Sequence, residues 1–267
     1  IPLRLVGSEM CIRDRIINGQ KIWTSAGHLA NHIFVLARTA PDEVKHRGIT
    51  FLLVDMRQPG VEVRPIKMMS GDSEFNEVFF TDARCPKENV VGEVNGGWMV
   101  AMTLLGNERG AAAAVSSISF RGELDKLTGL AKEKGMTSDP YIRQRLVKAH
   151  TKVEIMRFLG YRALTAFMNG RQPGSDASIG KLWWSEYHKE VTELAVDILG
   201  ADAMVPVGQG PHTAFTTDSP GSPNDSANWV GVFLNARAGT IYAGTSQVQR
   251  GIVGEQVLGL PKEPSSK

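Results

Sequence analysis

Four small residues near the C-terminal end, Ala243-Gly244-Thr245-Ser246, stand between the apolar lead-in Thr240-Ile241-Tyr242 and a helical pattern that runs to about Leu258. Glycine and small polar side chains let backbone N–H groups approach a ligand closely, and a helix starting at Thr245 or Ser246 aims its positive end at the same place. The turn lacks a proton-transfer group, because Ala243 at its most exposed position is inert. A carboxylate suited to that work is Glu108, in GNERG. Ala101, Leu104, Glu108, Ala111 and Val115 follow the spacing of one helical stripe, with Trp98, Met102, Leu105, Arg109 and Ala112 on the adjoining one. Burial in such a stripe disfavours the charged form and lifts a glutamate from about 4.3 toward the range of a working base. Spacing alone favours a structural glutamate, paired with Arg109 or reaching solvent where Gly106 and Gly110 interrupt the helix, because structural ion pairs outnumber catalytic bases. His28 and His32 have the i,i+4 spacing of a metal pair but fall in a turn-to-strand connection without a third ligand, so they read as surface histidines and no metal site is expected.

These groups need a scaffold, and its pattern changes once along the chain. From Ile16 to about Gly92, IINGQKIW, HIFVLART, ITFLLVD, VEVRPIKM and NEVFFTD are strand-length runs with no helix between them. The spacing predicts five or six strands in an antiparallel sheet or barrel, with Asn18-Gly19 as a two-residue hairpin turn. After GEVNGGW the period becomes helical. Helices are predicted over 98–134, with an interruption near Gly106 and Gly110, and over 139–169, 175–199 and 245–258. Residues 207–229, rich in Gly, Pro, Ser and Asp, read as a long loop, with GSPNDS as its mobile tip. The fold class is therefore α+β: residues 16–95 form an antiparallel β domain and 96–267 a C-terminal helical bundle. Residues 1–15 read as a non-native segment or a linker, since LVGSEMCIRDR has no strand or helix period, and the start at Ile1 suggests a fragment.

Bulk properties exclude several roles. A chain of 267 residues with 42% hydrophobic content buries a sizeable core. Its net charge of +2, without basic runs, opposes nucleic-acid binding or a polybasic membrane patch. Cys11 and Cys85 lie outside any ligand spacing, which suits a reducing, cytoplasmic compartment. No apolar run approaches the roughly 18 residues of a membrane span.

Four motifs in register carry a resemblance: NGQKIWTSAG, GITFLLVD with PGVEV, FNEVFFTDARCPKENVVGEVNGGWMVAMTLL, and IYAGTSQVQRGIVGEQVLGLP. In order and spacing, over about Ile16 to Pro261, they resemble the middle and C-terminal domains of the flavin-dependent acyl-CoA dehydrogenases, above all bacterial members of lipid and steroid catabolism. The resemblance implies a C-terminal four-helix bundle, a further N-terminal helical domain not in this sequence, FAD as cofactor, and α,β-desaturation of an acyl-CoA. Many members hold the catalytic glutamate at the position of Ala243; others carry it on the first bundle helix before an arginine, which places the base at Glu108 and leaves the Ala243 N–H as an oxyanion donor. It further implies Trp23, Thr24 and Ser25 at the flavin ring, Gly200, Thr245 and Gln247 toward the diphosphate and adenine, and Arg109, Tyr242 and Gly244 at the substrate. The resemblance also implies that electrons pass to an electron-transfer flavoprotein and that the protein is a homo- or hetero-oligomer, dimer or tetramer.

Two departures qualify it. An Arg-x-Phe-Gly motif is absent, leaving Arg143 or Arg145 as substitutes or as an outward solvated face, and Asp197 stands where a glutamine is usual. These departures suit an alternative, a silent subunit completing a partner's flavin site; an acyl-CoA oxidase is a further one.

Overall fold

The structure is a computed structural model. The structure describes residues 7–10, 14–170, 174–175, 177–211, 217, 222 and 224–262, with the side chains of 7–10 and 106–116 outside the description. It divides into two compact units, Ile1–Leu105 and Gly106–Lys267.

The first unit is built on strands β1 (Gly7–Met10), β2 (Asp14–Ser25), β3 (His32–Arg38), β4 (Ile49–Asp55), β5 (Val61–Pro65), β6 (Phe75–Pro86) and β7 (Val90–Val91). They form one sheet in the order β5-β6-β2-β1-β3-β4-β7. Pairing is antiparallel except where β1 meets β3, Gly7 opposite Arg38. Two of these strands lie where no period is legible: β1 falls within 5–15, and β2 begins at Asp14 instead of Ile16. Alternation along the strands turns Ile17, Val35, Leu52, Val54, Val78, Phe80 and Cys85 into one core. Burial pushes the Cys85 thiol up to about 11, so it stays protonated and unreactive.

Asn18-Gly19 does not turn the chain. β2 runs straight through it, and Asn18 opposes an extra residue of β6: Ile17 pairs with Ala83 and Gly19 with Phe80. The Asn18 side chain donates to Asp82 Oδ1 at 3.0 Å and accepts from the Asp82 N–H at 2.8 Å, replacing the interrupted ladder. Asp82 and Gly19 take the positive φ that the dipeptide signals, 51° and 143°, in a bulge rather than a hairpin. A second irregularity, between Lys21/Val78 and Thr24/Asn76, gives β2 the extra residue and contains Trp23.

Helix α1 (Gly97–Glu133) starts against β4, where a Cβ at Gly97 would stand 2.4 Å from the Phe51 N atom, so only glycine fits. It continues through Gly106 and Gly110 without the expected interruption. In the second unit, α2 (Pro140–Met168) is capped by Asp139, whose carboxylate accepts from the Tyr141 and Ile142 N–H groups, and α3 is Ala177–Leu199. The loop expected over 207–229 ends early. Helix α4 (Ser226–Ala236) starts inside it, capped by Asp225 accepting from the Asn228 N–H. Of the residues described in GSPNDS, Asn224 is anchored, donating to the Lys126 carbonyl at 2.8 Å and accepting from the Trp229 indole at 2.6 Å. The last helical run divides into α5 (Ser246–Ile252) and a π-turn over Val253–Val257.

The bundle core joins four helices: Phe120, Leu124 and Leu127 of α1, Val153 and Met156 of α2, Tyr187, Val191 and Leu194 of α3, and Trp229 of α4. Buried with them, Glu123 and His188 face each other at 3.3 Å. Among the described residues no helix is long and apolar enough to cross a membrane.

Candidate functional site

Each unit carries one of the motif turns. In the first, the β2 bulge holds Trp23 at φ 64°, a left-handed conformation costly for a bulky residue, and leaves its ring 63% exposed. The ring meets Phe75 edge-on, centroids 6.0 Å apart. Thr24 is half-buried, Ser25 exposed, and Ala26 follows at φ 52°, its N–H donating to the Glu74 carbonyl at 2.8 Å. Beneath them Asn76, fully buried on β6, donates to the carbonyls of Thr24 at 3.0 Å and Glu74 at 3.2 Å. Its Oδ1 is buried without a partner among the described residues. An exposed aromatic face with two hydroxyls beside it suits a flat, hydrogen-bonding ring system. His28 and His32 are exposed at the ends of the following turn.

In the second unit, the turn before α5 sets Ala243 at φ 53° and Gly244 at φ 89°. Thr245 caps α5, its hydroxyl oxygen accepting from the Val248 N–H at 3.2 Å. Ser246 is buried and donates to Glu186 Oε1 of α3 at 2.8 Å, while Gln247 is exposed on the first turn. Gln249 is fully buried and donates to the Ala243 carbonyl at 2.8 Å and to that of Gly244 at 3.5 Å. Tyr242 is half-buried, its ring 6.3 Å from that of Trp184. Lys181, buried on α3, donates to the Gly239 carbonyl at 2.9 Å and steadies the approach to the turn.

Glu108 and Arg109 lie on α1, their side chains outside the described residues. Of their predicted stripe, Ala101 is buried and Leu104 is 41% exposed.

Gly200 ends α3 at φ 57° with open space around it. One turn earlier, Asp197 is paired with Arg145 of α2. Arg145 also donates to the Tyr141 hydroxyl at 3.1 Å and the Glu190 carbonyl at 3.2 Å, so it is not an outward solvated side chain; Arg143 is exposed. Beside it a cleft of about 210 Å³ lies between α2 and α3, lined by Arg145, Lys148, Tyr187 and Glu190 among others. Its charges answer one another. Lys152 and Lys148 sit 2.8 and 3.3 Å from Glu190. Burial pushes the Glu190 carboxyl up, but the two ammonium groups outweigh it and hold it below its usual value. Burial also carries the Tyr187 hydroxyl well above its ordinary pKa, and the neighbouring Glu123 and Asp125 add to this.

Comparison with known proteins gives these turns a context. The acyl-CoA dehydrogenase middle domain matches residues 4–83, and the acyl-CoA dehydrogenase C-terminal domain matches residues 95–258. The chain belongs to the acyl-CoA dehydrogenase family. It is 42% identical over 248 residues to acyl-CoA dehydrogenase IpdE1 of Mycolicibacterium smegmatis, a match covering 93% of this chain and 58% of that protein. Among solved structures it resembles the Tcur3481-Tcur3483 steroid acyl-CoA dehydrogenase with a TM-score of 0.83 at 27% identity, covering 97% of this chain and 64% of that one. The ChsE4-ChsE5 complex from Mycobacterium tuberculosis follows with a TM-score of 0.78 at 27% identity, covering 97% and 65%. The chain thus spans less than two thirds of the relatives it matches.

Both turns contain left-handed residues and a carbonyl bonded by a buried amide, and both amides, Asn76 and Gln249, escape a reading of the sequence for chemistry. Their type offers no catalysis. The available signal is a polar residue at a core position, Asn76 in phase with Val78 and Phe80 on β6, which no surface strand requires.

Proposed function

We propose that the full-length protein containing this chain desaturates an acyl-CoA thioester between its α and β carbons. FAD, when bound, supplies the acceptor for the β-hydride at N5. Glu108 takes the α-proton on its carboxylate, and the backbone N–H of Ala243 donates to the thioester oxygen as negative charge gathers there, an interaction commonly worth about 3 kcal/mol. The product is the 2-enoyl-CoA. Trp23 lies on the ring system, with Thr24 and Ser25 as hydroxyl partners. Thr245, Gln247 and Gly200 serve the diphosphate and adenine side, while Arg109, Tyr242 and Gly244 hold the substrate. Electrons leave to an electron-transfer flavoprotein, and the protein works in the cytoplasm as an oligomer.

The observation that carries this reading is the match to both family domains, in register with two turns held in left-handed conformation. Glu108→Gln in the full-length protein tests it. The variant is expected to keep its flavin and to lose acyl-CoA-dependent flavin bleaching by 100-fold or more, on the order of what a positioned base contributes. Unimpaired bleaching would remove Glu108 from the role of base.

A second reading, a catalytically silent subunit in a heteromeric assembly, draws on the Asp197–Arg145 pair. A carboxylate does not fit a diphosphate, and its guanidinium partner is already engaged. The two-component steroid acyl-CoA dehydrogenase and the ChsE4-ChsE5 complex add to its support. On this reading the full-length chain purifies colourless alone and its flavin arrives with a partner chain; a yellow, bleachable chain on its own rules it out.

A further inference from the structure

We propose that Gln249 is a positioning residue of the reaction, which fixes the Ala243-Gly244 peptide and thereby the direction of the Ala243 N–H. The inference rests on the reading above, in which that N–H meets the thioester oxygen. Two consecutive left-handed residues, at φ 53° and 89°, make a turn that would relax if free, because alanine disfavours this region. Gln249 opposes the relaxation from within the protein. Its Nε2 donates to the Ala243 carbonyl at 2.8 Å and reaches the Gly244 carbonyl at 3.5 Å, and the residue is fully buried. Rotation about Ala243 ψ swings that carbonyl off the amide, and φ and ψ are coupled within the small left-handed region, so the adjoining N–H keeps its aim. Contact is close on the other side as well: a Cβ on Gly244 would stand 2.5 Å from Nε2, so glycine here leaves room for the amide.

The other half of the amide points the same way. Gln249 Oε1 is buried with no hydrogen-bond partner among the described residues. A buried orphan acceptor is unfavourable, and an apolar side chain of similar volume would avoid it. What such a side chain lacks is the donor. The neighbouring bonds do not replace it, since Thr245 engages the Val248 N–H and Ser246 engages Glu186. Gln249 is the side chain here that grips the turn's own carbonyls.

The test uses the full-length holoenzyme, with its partner chain if one is needed for flavin, and four probes: butyryl-, octanoyl- and palmitoyl-CoA and a steroid side-chain acyl-CoA. If none bleaches the wild-type flavin, the desaturase reading itself fails. With a probe that does, Gln249→Met is expected to keep the wild-type melting temperature within a few degrees, lower kcat at least tenfold and leave KM within about threefold. Wild-type kcat in folded Gln249→Met overturns the positioning role. If Gln249→Met does not fold, Gln249→Glu decides. Its protonated acid donates to the Ala243 carbonyl and its carboxylate cannot, so kcat relative to wild type is expected to fall tenfold or more as pH rises through the new group's titration. A flat ratio overturns the proposal.

Discussion

Ala243 and Trp23 pose the same question at the scale of single residues: each takes a positive φ, 53° and 64°, without being glycine. Such strain persists where the surroundings over-determine it, and it collects at working sites. For Trp23 the surroundings are the β2 bulge and Asn76; for Ala243 they are Gln249 and the Thr245 cap. An alanine in the left-handed region costs about 1–2 kcal/mol. Ala243→Gly removes that cost but loosens the unfolded chain by about 0.4–1 kcal/mol, so urea unfolding is expected to show a net gain of about 0–1.6 kcal/mol. Ala243→Val, β-branched and stiff, is expected to lose more than about 1 kcal/mol at the same site. A glycine variant that loses stability, as one does inside a helix, would show that the turn is not left-handed in solution.

At the scale of elements, α4 shows how little sequence is needed to start a helix and how easily neighbours hide it. Asp225 accepts from the Asn228 N–H at 2.9 Å with one oxygen and from the Gln209 N–H at 3.2 Å with the other. Asp225→Ala is therefore expected to cost about 1–2 kcal/mol in denaturant unfolding, and Asp225→Asn, which still caps, less than half of that. Equal losses would mean that the second carboxylate oxygen, which accepts from Gln209 and which asparagine lacks, does the work rather than the cap. The cap signal was present in the sequence, but it lies at the end of a Gly/Pro/Ser/Asp run that reads as loop. The long helices were legible because their apolar period spans many turns, and the strands because theirs alternates. The Asn18-Gly19 bulge was not, since the residue that decides it, Asp82, is 64 positions away. At the site, the turn around Ala243 was legible from its small residues. Gln249 and Asn76 were not, because their part is to hold a backbone that only the fold brings within reach.

At the scale of the molecule, the question is what completes the flavin site, and Asp197 bears on it. The pair it makes with Arg145 is partly exposed, with side-chain accessibilities of 49% and 22%, so it adds at most about 1 kcal/mol to stability. Under the proposed function its effect on a bound diphosphate is larger. Paired with Arg145, Asp197 cancels the cationic charge a diphosphate would seek, and a guanidinium already engaged by Asp197, Tyr141 and Glu190 does not offer its fork to phosphate oxygens. Asp197→Gln removes the charge that cancels Arg145 and frees one arm of its guanidinium while changing little else. In the full-length chain purified without a partner, it is expected to raise flavin absorbance per chain several-fold, with a stability change under about 1 kcal/mol. That outcome would mean that Asp197 limits flavin binding in this chain, and it would favour the second reading, in which a different chain supplies the diphosphate contact. Unchanged flavin content in a folded Asp197→Gln would mean that Asp197 does not set occupancy, and that a homomeric enzyme binds its flavin around the Arg145 pair.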